Sequence, residues 1–302
     1  MERAIHQIRL DIEAIAGDKA LYKEANFNSR EVAIDFVEFN LIGQIEGLLL
    51  TPDQAHQIAE LRQAAEIVKN RLEEVNENLF QKLRANIRSG DCTGARLKRQ
   101  IVEYVGPDST ARPQDDDIGY DSVDAFINGL LLIGAAPGET KEREPDMVPY
   151  QPTPARVILE LVEQADLRQG GVFYDVGSGL GQVAMLVNLL GGIRAKGVEF
   201  EPAYCDYARR CARELNLPHV EFINVDAREA DYSDGTVFYM YTPFKGRLLE
   251  EVLEKLKGEV RKRPIWVYTY GPCTRQVSQQ SWLVRVDRNG DHVYKLAMFR
   301  SA

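Results

Sequence analysis

The sequence predicts an α/β fold: a seven-stranded, mainly parallel sheet that ends in an antiparallel hairpin, preceded by an all-α N-terminal domain. Three observations carry this reading. From about residue 155 onward, short apolar β-rich runs alternate with helical patterns, the signature of a parallel sheet with helices on both faces. Before residue 105 the apolar positions recur three and four apart instead. Finally, the last two β-rich runs are separated only by Arg288-Asn289-Gly290-Asp291, whereas a parallel crossover needs about a dozen residues.

The elements follow in order. Ile5, Ile8, Ile12 and Ile15 mark a first helix over 2–16, and a second is expected over about 30–49. A third starts at Thr51, with Pro52 at its first position and Gln54 completing a capping box, and runs without Gly or Pro to about Asn86. A helix of that length cannot bury its own apolar stripe and needs a partner surface. A fourth helix spans about 93–104. The polar stretch 106–120 reads as a linker or surface loop, and Asp121 is placed to N-cap a short helix over 121–134. After an irregular segment and a helix over 155–165, β-rich runs fall at 172–176, 194–200, 220–225, 236–241, 264–270, 281–287 and 292–300. Helical patterns at 181–191, 202–216 and 245–257 separate most of them. The expected division is a helical domain (1–105), a linker with short helices (106–150) and the α/β domain (151–302).

Composition narrows the function. With 44% hydrophobic and 27% charged residues, the 302-residue chain can build a sizeable core. A net charge of −9 does not suggest attraction of nucleic acid by the surface as a whole. The cluster Arg261-Lys262-Arg263 reads as a solvated loop. Cys92, Cys205, Cys211 and Cys273 form no C-x-x-C pair, and the four histidines show no ligand spacing, so no metal site is expected. No run of 18 apolar residues predicts a membrane span. The N-terminus lacks the apolar core of an export signal, so a cytoplasmic location is expected.

The chemistry centres on Asp175-Val176-Gly177-Ser178-Gly179-Leu180-Gly181-Gln182, between a strand and a helix. Its glycines permit turns that a Cβ forbids and let the backbone approach a ligand. Ligands of open α/β sheets sit at this end of the strands. Dinucleotide enzymes favour G-x-G-x-x-G, with a pyrophosphate on the helix N-terminus. Here the spacing is G-x-G-x-G, and Asp175 would repel a pyrophosphate while suiting an ammonium group.

This segment resembles motif I of the class I S-adenosylmethionine-dependent methyltransferases, whose domain is Rossmann-like, and the resemblance runs from Tyr150 to Ala302. It implies S-adenosyl-L-methionine as cofactor, with Asp175, Gly177, Ser178, Gly179, Gly181 and Gln182 around its amino-acid end. It also implies that Glu199 accepts hydrogen bonds from the ribose hydroxyls. Phe200 is expected against the adenine, with Asp226 on the adenine amino group and the N–H of Ala227 toward the ring. Within that superfamily, Asp175-Val176-Gly177-Ser178-Gly179-Leu180-Gly181-Gln182-Val183 resembles the signature of the non-SET histone-lysine methyltransferases, the disruptor-of-telomeric-silencing family. Pro149-Tyr150-Gln151-Pro152-Thr153-Pro154 is similar to the segment that closes over the methionine end in related lysine methyltransferases, which places Thr153 at the cofactor. At the fourth strand end, Tyr241-Thr242-Pro243-Phe244 keeps only the Pro and Phe of the Asn/Asp-Pro-Pro-Tyr/Phe motif used on planar amides and bases. The Asn-rich stretch of the histone-methylating group is absent there too.

Tyr150, Tyr241 and Phe244 are the candidates for the acceptor side of the reaction. The expected function is N-methylation of a protein side chain or another acceptor, with protein lysine favoured over nucleic acid. The alternatives are a protein that binds the cofactor without chemistry and an NAD-dependent oxidoreductase. A homodimer through the helical domain is a further expectation.

Overall fold

Residues 2–48, 55–110, 119–165, 167, 171–290 and 292–302 are described by a computed structural model. The capping box expected at Thr51–Gln54 and Asp291 of the expected hairpin turn lie outside the described residues. In the N-terminal region, the isoleucine stripe of α1 (Glu2–Gly17) is buried at Ile5, Ile8 and Ile12. The second expected helix is three pieces in one run: α2 (Phe27–Asp35), a π-helical stretch (Phe36–Ile42) and α3 (Gly43–Glu46).

Helix α4 (Ala55–Arg88) has 34 residues, about 50 Å at 1.5 Å per residue, and it serves two cores. Its first half packs Ile58, Leu61, Ala65, Val68 and Leu72 against α1 and the π-helical stretch. Its second half packs Leu79, Phe80, Leu83 and Ile87 into the core of the α/β half. Between them lies a polar seam. The fully buried Arg30 donates to Asn76 Oδ1 at 2.6 Å and to the carbonyls of Leu21 and Lys23 at 2.8 Å. A buried guanidinium is tolerable only with its donors engaged.

Helices α5 (Gly94–Val105) and α6 (Ser122–Leu131) join the second core. Asp121 caps α6 as expected, accepting from Val123 N, while Asp124 reaches back to the N–H of Asp121 in a capping box. Phe27, Phe80 and Phe126 meet edge to face at ring separations of 5.2–5.8 Å. Phe80 lies over Gly129, where a Cβ would come within 2.2 Å of the ring.

After α7 (Ala155–Gln164) the sheet begins with β1 (Val172–Val176), followed by α8 (Gln182–Gly191), β2 (Arg194–Glu199), α9 (Pro202–Glu214) and β3 (Val220–Asn224). It continues with β4 (Val237–Tyr241), α10 (Gly246–Val260), β5 (Trp266–Tyr270), α11 (Cys273–Val277), β6 (Leu283–Arg285) and β7 (Ala297–Ser301). The strand order is 3-2-1-4-5-7-6, parallel except that β7 runs antiparallel between β5 and β6. Alternate residues of β1 serve opposite faces: Phe173 enters the core shared with α7, α8 and the N-terminal helices, and Tyr174 the core under α10. Strand order reverses between β1 and β4, so a crevice opens at their C-terminal ends.

The terminal pair is antiparallel as expected, but its connection is longer than the four residues expected. Strand β6 stops at Arg285, and β7 starts only at Ala297. Asp287 holds the intervening loop, accepting from Asn289 N at 2.9 Å and Met298 N at 2.8 Å.

Candidate functional site

The turn after β1 folds back on β2. The amides of Gly177 and Ser178 both donate to Val198 O, at 2.9 and 3.0 Å. Gly177 and Gly179 have φ of +82° and +52°, and each is touched from above. A Cβ on Gly177 would meet Pro243 at 2.2 Å, and one on Gly179 the Tyr150 ring at 2.2 Å. The glycines are thus required both by backbone conformation and by the approach of two other segments.

Asp175, on β1, is 2% exposed, and its Oδ2 has no hydrogen-bond partner. Burial, with Glu199 nearby, pushes its carboxyl up to about 8. Ser178 Oγ and Gln182 Oε1 are likewise buried without partners. Buried polar atoms are nearly always satisfied, so three orphans in one turn mark a place prepared for a polar ligand. An unpaired carboxylate among them suits an ammonium group.

Glu199 ends β2. Its Oε2 accepts from Gly179 N at 2.7 Å and its Oε1 from Glu201 N at 2.8 Å. Burial raises its pKa, and these backbone donors oppose the rise. Each carboxylate oxygen keeps a second lone pair for an incoming hydroxyl. Asp226, just past β3, accepts from Arg228 N at 2.8 Å and from its guanidinium at 2.6 Å, which holds its carboxyl below the usual range. The same guanidinium binds Glu144.

These elements enclose a cleft with about 1140 Å³ of free space, its open mouth included. Tyr150, Gly177, Gly179, Glu199, Phe200 and Asp226 line it, as do Ala227, Tyr241 and Phe244. Asp175, Ser178, Gly181, Gln182 and Thr153 are not among the lining residues. Asp175 and Ser178 are buried in the turn itself. Gln182 donates to Asn128 Oδ1 at 2.9 Å, and the Thr153 hydroxyl lies 3.3 Å from that of Tyr239.

One wall was legible in the sequence only from Pro149 onward. Residues 139–151 run across the strand ends and contribute Glu139, Arg143, Met147 and Val148 to the lining. Tyr204 and Tyr294 were also missed. Tyr204 carried a readable signal, since it falls one turn into the helix that follows Glu199. The Glu139–Glu144 charge run reads as solvated surface, and only tertiary contact shows otherwise. Among the described residues no cluster of His, Cys, Asp and Glu could hold a metal ion.

The strand order, the glycine turn and the acid-edged cleft define a class I S-adenosylmethionine-dependent methyltransferase fold, with S-adenosyl-L-methionine as its cofactor. Within its cofactor half, residues 149–239 match the family described as "Histone methylation protein DOT1". That match spans under a third of the chain. No curated protein sequence matches the chain. Among solved structures, an RNA methyltransferase from Salinibacter ruber with S-adenosyl-L-homocysteine is 28% identical, covers 50% of this chain and 92% of its own, and has a TM-score of 0.37. A putative S-adenosyl-L-methionine-dependent methyltransferase from Methanococcus maripaludis is 9% identical over 48% of this chain and 83% of its own, with a TM-score of 0.40. One from Aquifex aeolicus is 16% identical over 47% and 88%, also at 0.40. No helix among the described residues is long and apolar enough to cross a membrane.

Proposed function

We propose that the chain is an active methyltransferase that modifies an amine on a protein side chain, with lysine favoured over nucleic acid. One observation carries the acceptor reading: aromatic rings at Tyr150, Tyr204, Tyr241, Phe244 and Tyr294 line the cleft, and Arg143, the one cation among the lining residues, is already paired with Glu139 at 2.9 Å. A phosphodiester backbone needs cationic partners, and this lining offers none that is unpaired. An amine-bearing side chain is received by the ring faces.

When bound, S-adenosyl-L-methionine supplies an electrophilic methyl group on a sulfonium, which an amine nitrogen takes as the carbon–sulfur bond breaks. The residues here bind and orient. Asp175, buried two residues before the lining Gly177, offers its unpaired oxygen to the cofactor ammonium once the turn gives way to it, Glu199 its remaining lone pairs to the ribose, and Phe200, Asp226 and Ala227 the adenine pocket. Tyr150, Tyr241 and Phe244 form the acceptor side. Rings of Tyr241 and Tyr270 lie 5.0 Å apart, and Tyr270 and Tyr294 6.1 Å. Burial raises the phenols of Tyr150 and Tyr241 well above their ordinary value, so they stay protonated and do not serve as bases. Their role is to hold the acceptor in line, which supplies a large share of the rate in such displacements. An ammonium leaving water for this wall sheds its proton more easily, and the open mouth lets water receive it.

The matched family is described as histone-methylating, so core histones are the first acceptor to try. The full chain is incubated with methyl-labelled cofactor and either core histones or total RNA. Label recovered as methyl-lysine supports the reading. Label only in RNA overturns the acceptor class, and cofactor binding with no label in either arm favours a binding protein.

A further inference from the structure

The wall formed by residues 139–151 is attached at two places of different character. At its far end it is sewn to the loop after β4 through the main chain. Val148 N donates to Pro243 O at 3.1 Å, Lys245 N to Asp146 O at 2.9 Å, and Met147 bridges to Phe244. Its near end is held chiefly by one carboxylate, beside a single bond from the Tyr204 hydroxyl to Glu139 Oε1 at 3.1 Å. Glu201 Oε2 accepts the amides of Thr140 and Lys141, both at 2.9 Å, and its Oε1 accepts the Thr140 hydroxyl. The same Oε1 caps α9 through Ala203 N at 2.9 Å. Between these ends the strap passes over the cofactor edge of the sheet. Lys141 Nζ sits 4.5 Å above the Phe200 ring, and Glu144 reaches Arg228 beside Asp226.

We infer that Glu201 is the latch of this strap, and that release of Thr140 and Lys141 from its carboxylate opens the cleft for the nucleoside cofactor to enter and leave. The argument is one of unequal attachment. Several independent main-chain bonds hold the far end, so no single event frees it. Three strap bonds at the near end share one side chain and are lost together when it turns. The strap contributes Glu139, Arg143 and Met147 to the same lining as Glu199 and Asp226, so its opening exposes the edge assigned above to the nucleoside. Glu201 is therefore a positioning residue, acting through the strap.

The inference rests on the cofactor reading above, and the experiment separates the two. Glu201→Asp keeps an excellent N-cap for α9 but is one methylene too short to reach the strap. Thr140→Val removes only the hydroxyl bond, on a residue outside the cleft lining. Association and dissociation rates of S-adenosyl-L-methionine are measured on the immobilised full chain, and amide exchange is followed on the cofactor-free protein. Losing charge-assisted bonds to the strap should raise both rate constants together, by about tenfold for Glu201→Asp and about threefold for Thr140→Val, with little change in Kd. Exchange at Thr140 and Lys141 should accelerate while α9 stays protected. A faster dissociation with unchanged association would make Glu201 a ligand contact and overturn the latch, as would unchanged exchange at Thr140 and Lys141. Wild-type protein that binds no cofactor would overturn the cofactor reading and the gate with it, whereas the exchange experiment alone decides whether Glu201 holds the strap.

Discussion

Replacing Asp175 by Asn should strengthen the cofactor-free protein and weaken its grip on the cofactor, and the two effects share one cause. Asp175 is buried with an unpartnered oxygen, and its carboxyl stands at about 8 against an ordinary 3.8. Because the folded value is the higher one, the contribution of this group to stability is intact below about pH 4 and is lost as pH rises toward 8. Each pH unit in that window costs about 1.4 kcal/mol, for a total on the order of 5 kcal/mol by pH 8. Asn has nearly the same shape and does not titrate. Its advantage should therefore be small at pH 5 and large at pH 8, read from denaturant unfolding of the cofactor-free chain at both values. The cofactor reverses the balance. An ammonium beside Asp175 repays the buried charge, so the Asn variant should bind about ten- to a hundredfold more weakly, equivalent to about 1.5–3 kcal/mol for a charged hydrogen bond. Near pH 7 the wild type should release a proton on binding, seen by calorimetry in buffers of different ionisation heat, and the variant should not. An Asn variant no more stable than wild type at pH 8, or equally favoured at pH 5 and pH 8, would refute the reasoning.

Three further outcomes follow from the same geometry. Glu199→Gln should lower cofactor affinity about tenfold with the fold retained, by loss of a charged acceptor; equal affinities in a titration would remove Glu199 from the ribose site. Gly179→Ala places a Cβ against the Tyr150 ring at a φ of +52°, so it should cost about 1–2 kcal/mol in stability and impair cofactor binding, and unimpaired binding would show that Tyr150 need not rest on the turn. Phe80→Ala empties the ring cluster with Phe27 and Phe126 and should cost about 3–5 kcal/mol in a single unfolding transition; an unchanged melting of the α/β half would mean that α4 is not part of its core.

Much of the site could be read from sequence because its determinants are local. The glycine turn, Glu199 and Asp226 each sit at the end of a strand whose apolar run is visible, and strand alternation fixes their common edge. The capping box of α6 likewise depends on residues three apart. Other features depend on contacts between distant segments. The strap was unreadable because Glu139-Thr140-Lys141-Glu142-Arg143-Glu144 has a solvated composition, and its attachment depends on Glu201, 61 residues beyond Thr140. Glu201 itself has the sequence context of an ordinary helix cap, and it is one, with spare lone pairs that no local pattern reveals. The π-helical stretch Phe36–Ile42 leaves no trace in apolar spacing. The long connection between β6 and β7 escaped because Asp287 accepts from Asn289 N and Met298 N, a contact across the loop that no local pattern reveals.

Helix α4 is shared between two cores. Its distal half is gripped by α1 and the π-helical stretch, and its proximal half puts Phe80 on Gly129, with Arg84 donating to the Gly129 carbonyl. The neighbouring Asn128 accepts from Gln182, the first residue after the glycine turn. One continuous helix thus joins the N-terminal core to Gly129, and through the neighbouring Asn128 to the residue that follows the glycine turn, so the all-α region and the cofactor loop share a single scaffold.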